Sequence, residues 1–295
     1  YEADHYEKAV SRFEKALAAN PQQHEIAYYL GLVRVRARDE QAAIAAFDRV
    51  PPEHERYAEA RSQIAGILER RGDLAAALAE LEKARSRAPS RQLDLYAATL
   101  RARSGDFDGA VGFLQGLLDE SPADDELLYN LGVLYGEQKR LDESVRYMNL
   151  ALEKNPDNAS ALNYLGYSWA EKGLNLEQAE EKIKRALELR PDDGFITDSL
   201  GWVYYMRARP LLDTGNVKDG RALLRRAIQE LEKALQLTGG DPVISEHLGD
   251  AYLLLPDKKR ALERYREAIR LVPRESEQPL LRSKYEELKR EIESR

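Results

Sequence analysis

A small residue preceded by an apolar one returns along the chain at Gly31, Ala65, Ala98, Gly132, Gly166, Gly201 and Gly249. The steps are 34, 33, 34, 34, 35 and 48 residues, the last being 34 plus 14. A second signature follows five of them: a small residue, an apolar or aromatic one four later, a small or apolar one three after that, then Pro five on. It reads Ala77, Leu81, Ala84, Pro89; Ala110, Leu114, Leu117, Pro122; Ser144, Met148, Ala151, Pro156; Ala179, Ile183, Ala186, Pro191; and Ala261, Tyr265, Ala268, Pro273. A lone second half, Ala9, Phe13, Ala16, Pro21, opens the chain. A fixed period of this length means an array of units that cannot shelter their apolar stripes alone and must stack.

Within a unit, Leu165, Gly166 and Trp169 lie at i, i+1 and i+4, a narrow apolar face of a first helix. Ala179, Ile183 and Ala186 form the matching stripe on a second helix. The small residue admits that second helix closely, and Pro191 stops it. Gly72–Asp73 and Gly105–Asp106 fit the tight turn between the two.

These residues resemble a tetratricopeptide repeat array, whose unit is a 34-residue helix–turn–helix. The resemblance covers residues 1 to about 275. It implies an all-α fold, a right-handed superhelical solenoid. The expected organisation is a truncated repeat at 1–23 and repeats at 24–57, 58–90, 91–124, 125–158, 159–193, 194–241 and 242–275, with a capping helix at 276–295. The stretch from Ala161 to Tyr205 is similar to repeats of bacterial envelope and motility proteins. One departure from the family is that Leu128 and Leu162 stand where its first helix often carries Trp.

The cap is expected from Glu277 to Glu293, where Leu281, Tyr285, Leu288 and Ile292 make one stripe. The 14 extra residues of the last step fall at Arg209–Ala222. Adding two turns to each helix accommodates them and moves the turn to Thr214–Asn216. That produces a projecting hairpin with Leu211, Leu212 and Val217 between its arms, and Pro210 kinking or breaking the first arm. The chain starts at Tyr1, without Met and inside a running pattern, and is expected to be a fragment of a longer protein.

No catalytic constellation is present. The phosphate-binding and dinucleotide glycine loops and the paired-histidine zinc sequence are missing, and there is no cysteine. His5, His24, His54 and His247 stand far apart in the repeat register, as surface or interhelical residues. Acidic pairs such as Asp192–Asp193 sit at helix starts, where the dipole favours them. No enzyme activity, cofactor or metal is therefore expected. A net charge of -7 argues against nucleic acid as partner, and no apolar run is long enough to enter a membrane. Two basic clusters, Lys258 to Arg270 and Arg221, Arg225, Arg226, are read as ordinary helical charge pairs.

The resemblance places the first helices on a concave side. The places facing it read Tyr28, Tyr29, Leu32; Leu95, Tyr96; Tyr129, Asn130, Val133; Asn163, Tyr164, Tyr167; and Phe195, Trp202, Tyr205. Tyrosine and tryptophan offer large contact area with few rotors to freeze. The expected site is a groove of Tyr96, Tyr129, Asn130, Asn163, Tyr164, Tyr167, Asp198, Trp202 and Tyr205, with Tyr129, Tyr167, Trp202 and Tyr205 exposed. The partner is another protein, as a peptide segment or helix, and a cationic stretch in it suits Glu126, Glu171, Asp198, Glu246 and Asp250. Family members that clamp chaperone tails carry basic groove residues, and the equivalents here are apolar and acidic, so no such clamp is expected. The function implied is a protein-binding scaffold. The alternative is a structural spacer or oligomerisation module, with self-association through the N-terminal edge or the hairpin. The envelope likeness points to the periplasmic side of an outer membrane, with a cytoplasmic adaptor as the other reading.

Overall fold

The computed structural model describes residues 2–272 and 279–294, and all the regular structure among them is α-helix. Pro273 and the start of the expected cap at Glu277 lie outside the described residues. The chain divides into two compact units, Tyr1–Ala123 with Val133–Lys139, and Asp124–Gly132 with Arg140–Arg295.

The first unit contains α1 (Glu2–Ala19), α2 (His24–Arg36), α3 (Glu40–Phe47), α4 (Tyr57–Arg70), α5 (Leu74–Arg87), α6 (Arg91–Arg103) and α7 (Phe107–Glu120). Each helix packs on its chain neighbours from α1 to α7. Asp39, Asp73 and Asp106 each accept a backbone N–H of the helix they precede. They are N-caps, a closer role than the dipole attraction read from the sequence. In α1 the buried residues are Val10 and Leu17, while Ala9, Phe13 and Ala16 stay half-buried. The buried guanidinium of Arg61 bridges α3, α4 and α5. Its Nη1 donates to Asp48 Oδ1 at 2.8 Å and Glu80 Oε2 at 3.1 Å, and its Nη2 to the Phe47 carbonyl at 3.3 Å. His24 and His54, far apart in sequence register, meet edge to face at 5.8 Å.

α8 (Asp125–Glu137) is divided between the units at Gly132. The second unit continues with α9 (Leu141–Lys154), α10 (Ala159–Glu171), α11 (Leu176–Leu189), α12 (Gly194–Asp213), α13 (Val217–Thr238), α14 (Pro242–Leu254), α15 (Lys258–Leu271) and α16 (Pro279–Glu293). The small residue of each first helix faces the large residue of the second. A Cβ on Gly166 would stand 2.6 Å from Ile183 Cγ1, and one on Gly249 2.5 Å from the Tyr265 ring. No real side chain tolerates such distances, so glycine sets how closely these helices approach.

α12 and α13 have 20 and 22 residues where α10 and α11 have 13 and 14, and they turn at 214–216 through Gly215 at φ +83°. Of the kink or break expected at Pro210, the break does not occur: α12 runs through it as one helix. Pro210 costs the Met206 carbonyl its donor, and the packing of α13 on α12 holds the arm helical past it. Leu212 packs against Gly220 on the opposite arm, and Leu211 is half-buried. Val217 is 44% exposed and does not join the arms. In α16, Leu281 and Leu288 are buried, and Lys284 reaches Glu246 at 2.9 Å and Asp250 at 2.8 Å on α14.

Candidate protein-binding pocket

In α10, Ser160, Asn163, Tyr164 and Tyr167 stand at i, i+3, i+4 and i+7, one face of one helix. That face forms the floor of a pocket of about 330 Å³. Tyr129 of α8 closes one side. Phe195, Ile196, Asp198 and Ser199 of α12 make the other, with Arg190, Asp193 and Val243 at the rim. Two apolar side chains stand open at the mouth beside the charged Arg190 and Asp193: Phe195 is 61% exposed and Val243 42%. Asp193 accepts the N–H groups of Phe195 and Ile196, and this cap holds the first turn of α12 against the pocket.

Burial pushes the Tyr129 hydroxyl pKa up. Burial, then the carboxylates of Glu171 and Asp198, pushes that of Tyr167 up. Both hydroxyls therefore remain protonated donors. Tyr164 OH lies 2.9 Å from Ser144 Oγ, whose own proton goes to the Gly132 carbonyl. The buried Oδ1 of Asn163 accepts no hydrogen bond among the described residues.

The pocket thus gathers Tyr129, Asn163, Tyr164, Tyr167 and Asp198 of the residues expected from sequence. The other four are placed elsewhere. Tyr96 belongs to the first unit, donates to Glu69 at 2.5 Å, and lines a separate depression with Tyr28, Glu59 and Gln63. Asn130 spends its amide on the Glu126 carbonyl of its own helix, at 2.8 Å. Trp202, expected to be exposed, is 9% exposed. Its ring is sandwiched between His247 at 4.1 Å and Tyr205 at 4.7 Å, nearly parallel to both. Tyr205 is half-buried in that stack. The gap between α12 and α14 consumes these rings as core.

Three of the five carboxylates expected to attract a cationic partner are also engaged internally. Asp198 pairs with His247, and Glu246 and Asp250 share Lys284. Glu126 and Glu171 remain exposed. Sequence reasoning missed His247, Arg190 and Val243 as parts of this region. Phe195 had been read as facing the concave side but was not placed in the site.

A Tetratricopeptide repeat model matches residues 1–58, 63–125 and 205–276, and a second model of the same description matches 101–165. The chain belongs to the tetratricopeptide repeat family. This is a non-catalytic family whose members generally act as protein-interaction scaffolds. Among relatives, the TPR repeat-containing protein PA4667 of Pseudomonas aeruginosa is 29% identical over 225 residues, 76% of this chain and 35% of that protein. Human Tetratricopeptide repeat protein 13 is 28% identical over 134 residues, 44% of this chain and 14% of that one. The chain thus spans about a third or less of either relative. Yeast Tom70 has the same fold, with a TM-score of 0.70 at 15% identity over 99% of this chain and 60% of Tom70. A tetratricopeptide repeat protein from Parabacteroides merdae follows at TM-score 0.60 and 19% identity, over 90% of this chain and 99% of that one. No helix among the described residues is long and apolar enough to cross a membrane.

Proposed function

We propose that the chain is a non-enzymatic scaffold and that the pocket on α8, α10 and α12 docks a segment of another protein. The observation that carries this reading is the open apolar pair at the rim. Phe195 and Val243 stand exposed beside a tyrosine floor with hydroxyl donors. A segment placing an apolar or aromatic side chain between them buries that pair, at about 25 cal/mol per Å² removed from water. The Tyr129 and Tyr167 hydroxyls supply the polar contacts that fix its orientation. Since Asp198 is paired with His247 and Glu246 and Asp250 share Lys284, shape and apolar contact carry the recognition more than positive charge in the partner does.

The test is to select peptides against the protein from a random library and measure them on variants by fluorescence anisotropy. Phe195→Ala and Tyr167→Ala should each weaken the selected peptides by about tenfold, the scale of an interface hot spot. Circular dichroism should be unchanged. Peptides that bind both variants as tightly as wild type would remove the pocket as the docking site.

A further inference from the structure

The two basic clusters of the second unit turn out to differ in kind. On α15 four of the six cations are engaged: Arg260 with Asp257 and Arg264 with Glu267, each at 2.6 Å, Lys258 with Glu291, and Arg266 with the Tyr285 hydroxyl. On α13, Lys218, Arg221, Arg225, Arg226 and Lys233 are all exposed, and none pairs with a carboxylate among the described residues. Lys218, Arg221 and Arg225 step by 3 and 4. Ala222, Arg226, Gln229 and Lys233 step by 4, 3 and 4 beside them. The five cations make one outward stripe about 22 Å long at 1.5 Å per residue. The exposed acids beside it are taken: Asp219 accepts the Asn216 amide at 2.9 Å, and Glu232 accepts the Tyr252 hydroxyl at 2.5 Å.

Such a stripe costs stability, because like charges at i,i+3 and i,i+4 repel by a few tenths of a kcal/mol per pair. Asp219 and Glu230 of the same helix offset part of that, but neither reaches ion-pair distance of these cations among the described residues. We infer that the outward face of α13 is a second interaction surface, which docks an acidic segment of a partner protein with carboxylates at helical i, i+3 and i+7 spacing.

Charge complementarity selects this occupant. A bilayer surface requires an apolar face to insert. The apolar face of α13, made by Leu224, Ala227, Ile228, Leu231 and Ala234, is buried in the core, leaving only Ala222 and Gln229 between the cations. Single-stranded nucleic acid is held on aromatic stacking platforms, and this face offers no aromatic, only Gln229. An acidic helix matches the spacing and carries less charge density against the rest of this negative chain. The surface is independent of the pocket on α8, α10 and α12.

The probe is a fluorescent peptide with Glu at i, i+3 and i+7 in an Ala/Gln host, measured by anisotropy on the whole chain at low and near-physiological salt. Binding should weaken with salt, since these charges are exposed. Arg221→Glu combined with Arg225→Glu and Arg226→Glu should reduce it at least tenfold at unchanged helicity. Lys259→Glu with Arg270→Glu, which adds negative charge on α15 instead, should leave most of the binding. Phe195→Ala should leave all of it. The inference is overturned if the α13 variant binds the peptide like wild type, or if the α15 variant loses as much, which would make the effect one of bulk charge. It is also overturned if phosphatidylglycerol vesicles or a single-stranded oligonucleotide bind through the same arginines more tightly than the peptide.

Discussion

His247 Nδ1 lies 2.9 Å from Asp198 Oδ1, and the two side chains, on α14 and α12, are each only 9% exposed. Burial works against charge on the imidazole, but Asp198, Asp250 and Glu171 outweigh it, and the His247 pKa is raised above its ordinary 6.5. Its contribution to stability is therefore complete below about pH 6.5 and fades as pH climbs through the folded value. Between those two points each pH unit removes about 1.4 kcal/mol. Urea midpoints of the wild type should fall from pH 6 toward pH 9. His247→Gln should be less stable at pH 6, by about 3 kcal/mol for a buried pair deprived of one partner, with the gap closing as pH rises. Parallel curves for the two proteins would exclude a charged His247.

Glycine positions separate into two kinds. A Cβ on Gly166 meets Ile183 Cγ1 at 2.6 Å and the Ala179 carbonyl oxygen at 2.9 Å, and a backbone atom cannot yield cheaply. Gly166→Ala should cost about 1–3 kcal/mol through overpacking. Gly112 and Gly116 in α7 have nothing within 4 Å of the same position. There, Gly→Ala should stabilise by up to about 1 kcal/mol each, the helix-propensity difference. Thermal melts of the three variants decide it. Equal shifts would mean that helix approach is not set by the small residue.

Most of this fold was legible from the period. Leu-Gly repeats at 34-residue steps, with Ile183 or Tyr265 awaiting the glycine, specify helix pairs before any coordinates exist. The site was legible only in part, because periodicity assigns a face and not what covers it. Trp202 and Tyr167 occupy similar faces, yet α14 brings His247 onto Trp202 while Tyr167 stays at the pocket. Asp198 and His247 are 49 residues apart because the helices between them are long, so no regular step flagged the pair. Asn130 stands two residues before its glycine and Asn163 three, and that one-residue offset with a local bond to the Glu126 carbonyl takes the first out of the pocket.

Arg61 gives a prediction in the first unit. Its guanidinium is buried, reaches Asp48, Glu80 and the Phe47 carbonyl, and lies 5.1 Å over the Tyr57 ring. Arg61→Ala leaves Glu80 without this partner and should cost about 3 kcal/mol. Arg61→Lys should recover little, because one ammonium cannot span three acceptors in a planar fork. A lysine variant melting with the wild type would show that charge alone suffices.

The contrast between Phe195 and Trp202 decides how the pocket can be probed. Phe195 is 61% exposed and contributes little to the core, so Phe195→Ala should change stability by less than about 0.5 kcal/mol. Trp202 is 9% exposed and stacked between His247 and Tyr205, so Trp202→Ala opens a cavity and uncovers the imidazole that Asp198 holds. Its cost should be about 3–5 kcal/mol. Replacing Trp202 and Tyr205 together, as their sequence positions suggest, would thus lower binding through unfolding and say nothing about contact. Denaturation curves run beside the anisotropy measurements separate the two cases. Should Trp202→Ala melt with the wild type, the aromatic stack is not part of the core, and Trp202 returns to the list of residues free to meet a partner.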